Sequence, residues 1–170
     1  MLSLIIGGAG SGKSALAESL CCRLAGPRLY LATMRPEGPE SLKRIQKHRR
    51  QRSTLMFDTL ECPLGLDRAK IPEGSNVLLE DLSNLLANEL FSPDGGGADA
   101  VRRGLKKTLG RCANLTVVTN EVFSDGSVYE DGTVRFLREL AQLNRELAVQ
   151  ADLAVEAVCG LPNVLKGVLP

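Results

Sequence analysis

The sequence predicts an α/β fold in which helices cover both faces of a mostly parallel central sheet. Two observations carry this prediction: short apolar runs alternate with longer segments of helical periodicity, and glycine or polar residues follow the apolar runs. Continuous apolar runs of this length are typical of strands that are buried on both faces. The predicted strands are Leu2–Ile6, Leu29–Ala32, Val77–Leu79, Leu115–Val118 and Leu153–Val158.

The predicted helices lie between these strands. The last and longest has apolar residues at a spacing close to 3.6, as an amphipathic helix requires. Gly160-Leu-Pro-Asn is expected to close the last strand, because glycine and proline interrupt regular structure. The predicted helices are Lys13–Leu24, Glu40–Arg52, Leu82–Phe91, Ala98–Arg111 and Thr133–Gln150.

Length and composition limit the class of protein. Residues 1–170 are expected to form a single domain, and with 44% hydrophobic residues they can bury a core without metal or disulfide support. The formal net charge of +1 excludes a strong attraction of the whole molecule to nucleic acid or to an acidic membrane. Five cysteines without a C-x-x-C pair are typical of reduced thiols, and no apolar stretch is long enough for a membrane span. A cytoplasmic protein without membrane insertion is therefore expected.

The strongest motif in the chain is a glycine-rich loop at residues 7–14, which fits G-x-x-x-x-G-K-[ST] between a predicted strand and a predicted helix. Its glycines allow backbone N–H groups to surround a phosphate, and the helix points the positive end of its dipole at the same place. Lys13 adds a charge for the β- and γ-phosphates, and Ser14 offers a hydroxyl to Mg²⁺. The motif predicts a P-loop NTPase fold of the RecA-like type. The predicted phosphate site consists of Gly7, Gly8, Ala9, Gly10, Ser11, Gly12, Lys13 and Ser14.

A carboxylate for the magnesium ion of a nucleotide is expected at the end of a neighbouring strand. The strand around Val77–Leu79 ends in Glu80 and Asp81, which strand alternation places on opposite sides. Glu80 is the favoured metal ligand. Asp81 precedes a predicted helix and is equally well explained as its N-cap.

A basic run at residues 43–52 contains six of the 21 Lys and Arg residues and the only histidine, His48. On a helix, Arg44, His48 and Arg52 would line up along one face. The run admits three interpretations: a solvated basic helix, a nucleic-acid patch, or a catalytic helix in which a neutral imidazole between guanidinium groups attacks a phosphoryl centre. The nucleic-acid interpretation is weakened by the absence of aromatic residues within the run.

Taken together, the motifs resemble those of the bifunctional adenosylcobinamide kinase / adenosylcobinamide-phosphate guanylyltransferase family of cobalamin biosynthesis. The resemblance covers nearly the whole chain. Its most specific parts are an Ala-Thr strand end, an R-x3-H-x3-R helix and a Val-Thr-Asn-Glu-Val segment, in that order. The matching stretches are residues 7–14, Tyr30–Thr33, Arg44–Arg52, Leu78–Glu80, Val117–Val122, Asn144-Arg145 and the Gly160-x-Pro-x-x-x-Lys166 segment.

The resemblance implies a two-step enzyme that phosphorylates the corrinoid adenosylcobinamide with ATP or GTP, and then transfers GMP from GTP to that phosphate. It implies a covalent guanylyl intermediate on His48, with Lys13 as the second catalytic residue, Mg²⁺ held by Ser14 and Glu80, and assembly as a homotrimer. The guanine-nucleotide contacts that it implies outside the P-loop are Leu31, Ala32, Thr33, Arg49, Arg50, Gln51, Arg52, Glu61 and Glu80.

Two other functions remain open from the residues alone. A P-loop small-molecule kinase would share the phosphate loop but would form no covalent adduct. A nucleotide-dependent nucleic-acid-binding module would use residues 43–52 as its patch. Against the second, the N-K-x-D motif that specifies guanine in switch GTPases is absent from the sequence, and the net charge is only +1.

Overall fold

The structure of the chain is a computed structural model that describes residues 1–39, 42–43, 45–46, 50, 54–124 and 126–169. Among these residues are seven strands, four helices whose full length is described, and a short 3-10 turn at Leu66–Arg68. The strands are β1 (Leu2–Gly7), β2 (Arg28–Ala32), β3 (Asp58–Glu61), β4 (Asn76–Glu80), β5 (Asn114–Asn120), β6 (Leu153–Val158) and β7 (Leu161–Lys166). The helices are α1 (Lys13–Arg23), α2 (Leu82–Phe91), α3 (Gly97–Leu109) and α4 (Asp131–Gln150).

All seven strands join one sheet in the order β3-β2-β4-β5-β1-β6-β7. Every neighbouring pair is parallel except β6 and β7, which are antiparallel. The predicted mostly parallel sheet is therefore confirmed. Because the strands from β1 to β6 run in one direction, their carboxyl ends meet at one edge of the sheet, where ligands of parallel α/β proteins bind.

Two edge strands were not predicted. Asp58–Glu61 contains only one apolar residue, Leu60, and three of its four side chains are exposed. Gly160-Leu-Pro-Asn is expected to close the last strand, and β6 does end just before it, at Val158, but β6 is not the last strand. The chain turns at Gly160 and returns as β7, whose six side chains are all exposed. Pro162 is tolerated in this strand because β7 lies at the edge of the sheet.

Helices cover both faces of the sheet, as predicted. Successive residues of one strand enter different apolar layers, as Leu78 and Leu79 show. One layer packs the sheet against α2, α3 and α4, and the other packs it against α1. None of the helices in the described ranges is both long and apolar enough to cross a membrane.

Helix bounds agree with the predicted bounds to within two residues. Helix α2 begins and ends where it is predicted, at Leu82 and Phe91. Helices α1 and α3 end one and two residues early, and α4 begins two residues early. The helix predicted over Glu40–Arg52 falls largely outside the described residues, although residues 42, 43, 45, 46 and 50 are helical.

Candidate active site

The phosphate loop connects the carboxyl end of β1 to the first residue of α1. Gly10 and Gly12 adopt left-handed backbone conformations, with φ of 71° and 90°, which a residue with a Cβ rarely adopts. The Ser11 N–H donates to the carbonyl oxygen of Gly8 at 3.2 Å and closes the loop. The loop therefore takes its shape from glycines, of which Gly12 is required by the motif and Gly10 stands at one of its variable positions.

The amino end of α1 is open to an anion. No described side chain caps it, and its first turn contains no acidic residue. The first N–H groups of a helix have no partner within the helix, so an uncapped end offers them to a ligand. Helix α2 gives the contrast, because the side chain of Asp81 caps it through a 2.7 Å hydrogen bond from the Asn84 N–H.

Lys13 lies over this loop and is 8% exposed. Its Nζ donates to the carbonyl oxygen of Gly8 at 3.1 Å, so the ammonium group is held across the loop. A cation in this position adds to the helix dipole and to the backbone N–H groups. The three features together attract a phosphate group.

Ser14 and Glu80 meet beside the loop, although 66 residues separate them in the sequence. The Ser14 hydroxyl donates to Glu80 Oε1 at 2.6 Å, while the buried Oε2 of Glu80 has no hydrogen-bond partner among the described residues. Burial raises the pKa of Glu80 to about 7, the Ser14 hydrogen bond and the Lys13 charge act in the opposite direction, and the Asp81 charge adds to the increase. A buried carboxylate with a free oxygen is a costly group unless a cation binds it.

The Ser14–Glu80 pair fits a small divalent cation. A hydroxyl and a carboxylate are oxygen ligands, and Mg²⁺ is commonly held by one or two protein groups together with substrate phosphates and water. Within the described part of the chain, no three His, Cys, Asp or Glu side chains come together as a metal-binding group. The site is thus suited to a cation that arrives with a nucleotide.

The alternative carboxylate, Asp81, has a structural role. Its Oδ1 accepts the Asn84 N–H, and its Oδ2 accepts the Asn120 side-chain amide at 3.2 Å. Burial raises the pKa of Asp81, and these hydrogen bonds act in the opposite direction. The N-cap interpretation of Asp81 is confirmed, and Glu80 is the carboxylate that contacts the phosphate-loop serine.

Residues 31–33 lie at the carboxyl end of β2. The Leu31 side chain is buried in the core, and the Thr33 hydroxyl contacts the backbone oxygens of Glu80 and Asp81 at 3.0 and 2.8 Å. Glu61 ends β3 and pairs with Ala32, so both strand ends lie at the same edge of the sheet as the phosphate loop. Contacts of these residues with a nucleotide stay a prediction.

The predicted nucleophile and most of its neighbours fall in the part of the chain that is not described. His48, Arg49, Gln51 and Arg52 lie outside the described residues, as does Arg44, and Arg50 is described as exposed. In the sequence, this segment leaves β2 after Ala32 and returns at Asp58, the first residue of β3. The structure therefore defines the two strands, β2 and β3, between which this segment runs.

A contact that sequence analysis missed joins the C-terminal hairpin to the phosphate loop. The Gly160 N–H donates to the Ser11 carbonyl oxygen at 2.9 Å. A Cβ on Gly12 would lie 3.0 Å from the Gly160 Cα, so the two backbones meet where neither has a side chain. The sequence signal was the Gly160-x-Pro-x-x-x-Lys166 match, for which no role was predicted.

The glycine-rich loop lies at the carboxyl end of a central strand of the mostly parallel sheet, and an uncapped helix end and a serine–carboxylate pair lie beside it. This combination defines the P-loop class of proteins. The family model described as cobinamide kinase / cobinamide phosphate guanyltransferase matches residues 3–165, and the chain belongs to this family. The resemblance stated from the sequence motifs is thereby confirmed.

Curated relatives match over almost their full length. The chain is similar to the bifunctional adenosylcobalamin biosynthesis protein CobP of Pseudomonas aeruginosa, with 33% identity over 171 residues that cover 98% of each chain. It is similar to the bifunctional adenosylcobalamin biosynthesis proteins CobU of Salmonella typhimurium and Escherichia coli, with 33% and 32% identity. Those two alignments cover 98% of this chain and 100% of each relative.

Proposed function

We propose that the chain phosphorylates adenosylcobinamide with ATP or GTP and then transfers GMP from GTP to the new phosphate, through a guanylyl group on His48. Its enzyme class follows from the family, whose description names a kinase and a guanylyltransferase. The observation that carries the proposal is the convergence of the open α1 amino end, Lys13 and the Ser14–Glu80 pair at one point.

The phosphate loop serves as the site of the phosphoryl group in the first step. The acceptor hydroxyl oxygen attacks the γ-phosphorus, the bond to the β-phosphate oxygen breaks, and the hydroxyl proton leaves to solvent. The loop N–H groups and Lys13 hold the phosphates and take up negative charge that develops on them. This step needs positioning and charge more than covalent chemistry by the protein.

Ser14 and Glu80 are the residues that would hold Mg²⁺. The free Oε2 of Glu80 and the Ser14 hydroxyl support this assignment, because both are oxygen ligands of the kind that Mg²⁺ prefers. When bound, Mg²⁺ neutralises charge on the nucleotide phosphates. Glu80 then keeps its negative charge at neutral pH despite its burial, because the cation offsets the cost of that charge.

His48 is the proposed nucleophile of the second step. Its imidazole nitrogen attacks the α-phosphorus of GTP, a P–N bond forms, and pyrophosphate leaves. The phosphate oxygen of adenosylcobinamide phosphate then attacks the same phosphorus, the P–N bond breaks, and adenosylcobinamide-GDP forms. The spacing of Arg44 and Arg52 around His48 supports this role, since guanidinium groups favour a neutral imidazole and bind phosphate oxygens.

The guanine nucleotide is proposed to contact the phosphate loop, residues 31–33, residues 49–52, Glu61 and Glu80. Parallel pairing of β2 with β3 and with β4 supports this set, because it brings Ala32, Glu61 and Glu80 to neighbouring strand ends. Thr33 is 1% exposed, and its hydroxyl is held by the backbone of Glu80 and Asp81, so its part in the site is to fix the end of β2 beside Glu80.

The chain is further proposed to work as a cytoplasmic homotrimer of single-domain subunits. Exposed apolar side chains support a subunit contact, since such residues are usually covered in an assembly. Leu161 and Leu165 of β7 are 71% and 62% exposed. Light scattering of the purified protein measures the subunit number directly, and a monomer at micromolar concentration would contradict this part of the proposal.

The experiment that tests the proposed function uses GTP labelled at the α-phosphate. The protein is mixed with Mg²⁺ and labelled GTP, denatured, and examined for label that is stable in alkali and released in acid, as a phosphoramidate is. We expect label on the wild type and none on His48→Asn, while His48→Asn still phosphorylates adenosylcobinamide with ATP. Absence of label on a wild type that binds GTP would leave a P-loop kinase without guanylyl transfer.

A further inference from the structure

The last turn of α2 holds the chain segments that follow two strands of the site. The side-chain amide of Asn88 donates to the carbonyl oxygen of Thr33 at 2.9 Å and to that of Pro63 at 3.0 Å. Thr33 directly follows β2, and Pro63 comes two residues after Glu61, which ends β3. One amide group thus bridges the exits of two neighbouring strands.

The bridge lies just beyond the last regular hydrogen bond between β2 and β3. The Cys62 N–H donates to the Ala32 carbonyl oxygen at 2.8 Å, one residue beyond the last pair of the two strands, Ala32 and Glu61. Asn88 is the next connection between them, and it is made through a helix rather than through the sheet. It therefore sets the separation of the two segments where the strands themselves no longer do.

The neighbouring residue, Glu89, strengthens the same region. It is 4% exposed, and its two carboxylate oxygens accept the N–H groups of Gly65 at 2.8 Å and Gly96 at 2.7 Å. The segment after β3 is consequently attached to α2 at Pro63 and at Gly65. A buried carboxylate with both oxygens bonded to backbone is a rigid support, so Asn88 acts from a fixed helix end.

The contacts of Asn88 are separate from the phosphate machinery. Its two hydrogen bonds reach neither the phosphate loop nor Lys13, and the Ser14–Glu80 pair is formed by other elements. The nearest link to the metal-site carboxylate runs through Thr33, whose N–H and hydroxyl also bond to the backbone of Glu80 and Asp81. Thr33 keeps those bonds without Asn88, so a change at Asn88 acts first on the strand exits of β2 and β3.

We propose that Asn88 is a positioning residue for guanine-nucleotide recognition, because it holds the strand exits that carry Thr33 and Glu61 at a fixed separation. This inference rests on the proposed function, in which residues 31–33 and Glu61 contact the guanine nucleotide. It adds a residue whose side-chain amide bonds to the backbone of the two strand exits and to no residue of the phosphate loop. Its loss raises the GTP concentration needed for guanylyl transfer and leaves phosphoryl transfer at saturating ATP unchanged.

The test compares Asn88→Asp with a matched control, Asn114→Asp. Both substitutions keep the side-chain size and remove the amide donors. The Asn114 amide donates at 2.7 Å to the side-chain oxygen of Asn76, at the amino ends of the strands and away from the candidate site. For each protein we measure KM for GTP in formation of the His48 adduct, kcat for phosphorylation of adenosylcobinamide at saturating ATP, and thermal unfolding. Asn88→Ala is measured alongside, since it removes the donors without adding a charge and keeps the test intact if Asn88→Asp fails to fold.

We expect both Asn88 variants to raise KM for GTP by up to about tenfold, because the strand exits of the nucleotide site lose their fixed separation, with kcat for phosphorylation changed by less than about twofold. Asn114→Asp is expected to lower the unfolding temperature without changing KM for GTP. An unchanged KM in the Asn88 variants, an equal loss of both activities, or the same rise in KM for Asn114→Asp would overturn the inference. A wild type that phosphorylates but forms no adduct overturns the guanylyl-transfer proposal and this inference with it, whereas a labelled wild type with normal Asn88 variants overturns the inference alone.

Discussion

Glu80 shows at the level of one residue how a binding site reduces stability. Its carboxylate is buried beside a second acid, one of its oxygens has no hydrogen-bond partner among the described residues, and its pKa is raised to about 7. A neutral core residue would cost less here. The charge is therefore best explained by a ligand that needs it, which is the usual reason for a strongly shifted pKa in a site.

The first prediction is that Glu80→Gln stabilises the metal-free protein at alkaline pH. Because the folded pKa of about 7 is above the ordinary value of 4.5, the folded state keeps a proton that the unfolded state has released between these values. Stability due to Glu80 therefore falls as pH rises through this window, by up to ~3 kcal/mol. We expect the variant to equal the wild type near pH 4.5 and to exceed it near pH 8, as measured by urea unfolding with a chelator present.

Glu146→Gln is the control of opposite sign. The pKa of Glu146 is lowered, first by its hydrogen bond from Arg102, so its stabilising effect is present above its ordinary pKa and lost as pH falls. This variant should be slightly less stable than the wild type near pH 8. Equal stability of Glu80→Gln and the wild type at every pH would contradict the buried, raised-pKa state of Glu80.

The second prediction separates the two acids by activity. Asp81→Asn keeps an oxygen that accepts the Asn84 N–H, and asparagine is as good an N-cap as aspartate. We expect Asp81→Asn to retain Mg²⁺-dependent phosphorylation within about threefold, and Glu80→Gln to lose at least about a hundredfold through loss of the metal ligand. The measurement is the initial rate of phosphorylation at saturating ATP. A larger loss in Asp81→Asn than in Glu80→Gln would assign the metal to Asp81.

At this scale, the sequence predicted the motif residues and favoured Glu80 as their carboxylate, but it did not predict the direct hydrogen bond between Ser14 and Glu80. Spacing between neighbours predicts that Lys13 and Ser14 begin a helix, whereas the Ser14–Glu80 contact joins residues 66 positions apart and depends on the strand order. Alternation along a strand could not choose between Glu80 and Asp81. Asn88 gave no signal, because a polar residue on a helix is ordinarily solvated.

At the scale of elements, the strands that were predicted are those buried on both faces. A strand that is buried on both faces needs apolar side chains on both faces, so its burial produces the continuous apolar run by which it is predicted. Strands β3 and β7 form the two edges of the sheet, where burial does not dictate composition, and they were missed. The turn between β6 and β7 nevertheless lies at the candidate active site, because it contacts the phosphate loop.

The third prediction tests this contact with two matched substitutions, Gly12→Ala and Gly160→Ala. Both residues have positive φ, 90° and 81°, so both variants carry backbone strain of about 1 to 2 kcal/mol. Only the Cβ on Gly12 meets the opposing backbone, at 3.0 Å from the Gly160 Cα, while a Cβ on Gly160 meets nothing within 4 Å. We expect Gly12→Ala to weaken GTP binding at least about tenfold, because the loop must move, and Gly160→Ala to lower stability with GTP affinity kept within about twofold.

Titration calorimetry with GTP and thermal unfolding of both variants provide the measurement. Both unfolding temperatures should fall, that of Gly12→Ala further because the close contact adds to its backbone strain, and the GTP affinities should differ. Equal loss of GTP affinity in the two variants would show that strain alone, and not the close approach of the two loops, controls the phosphate site.

At the scale of the whole molecule, alternation of apolar runs and helices was sufficient to predict the α/β class, but not the order of strands. The order β3-β2-β4-β5-β1-β6-β7 depends on which distant strands pair, and no local pattern encodes that. The result is a sheet between two apolar layers. Cys62 belongs to the layer that packs against α2, α3 and α4, and Cys21 belongs to the layer that packs against α1.

The fourth prediction uses these two thiols to test whether residues 1–170 unfold as one domain. Cys21 and Cys62 are 1% and 4% exposed, and burial raises the pKa of each to about 11. Near pH 8 both are protonated and inaccessible in the folded protein, whereas Cys159 is exposed. An alkylating reagent should therefore modify Cys159 rapidly and reach Cys21 and Cys62 only when the protein unfolds.

Mass spectrometry of labelled peptides over a urea series follows the thiols, with fragment ions to distinguish Cys21 from the adjacent, partly exposed Cys22, and Cys159→Ser identifies the reaction of Cys159. If the two apolar layers form one cooperative unit, Cys21 and Cys62 become reactive with the same midpoint and the same dependence on urea. Midpoints that differ would mean that the layers on the two faces of the sheet unfold independently. Reaction of either thiol without urea at the rate of Cys159 would contradict the burial of that layer.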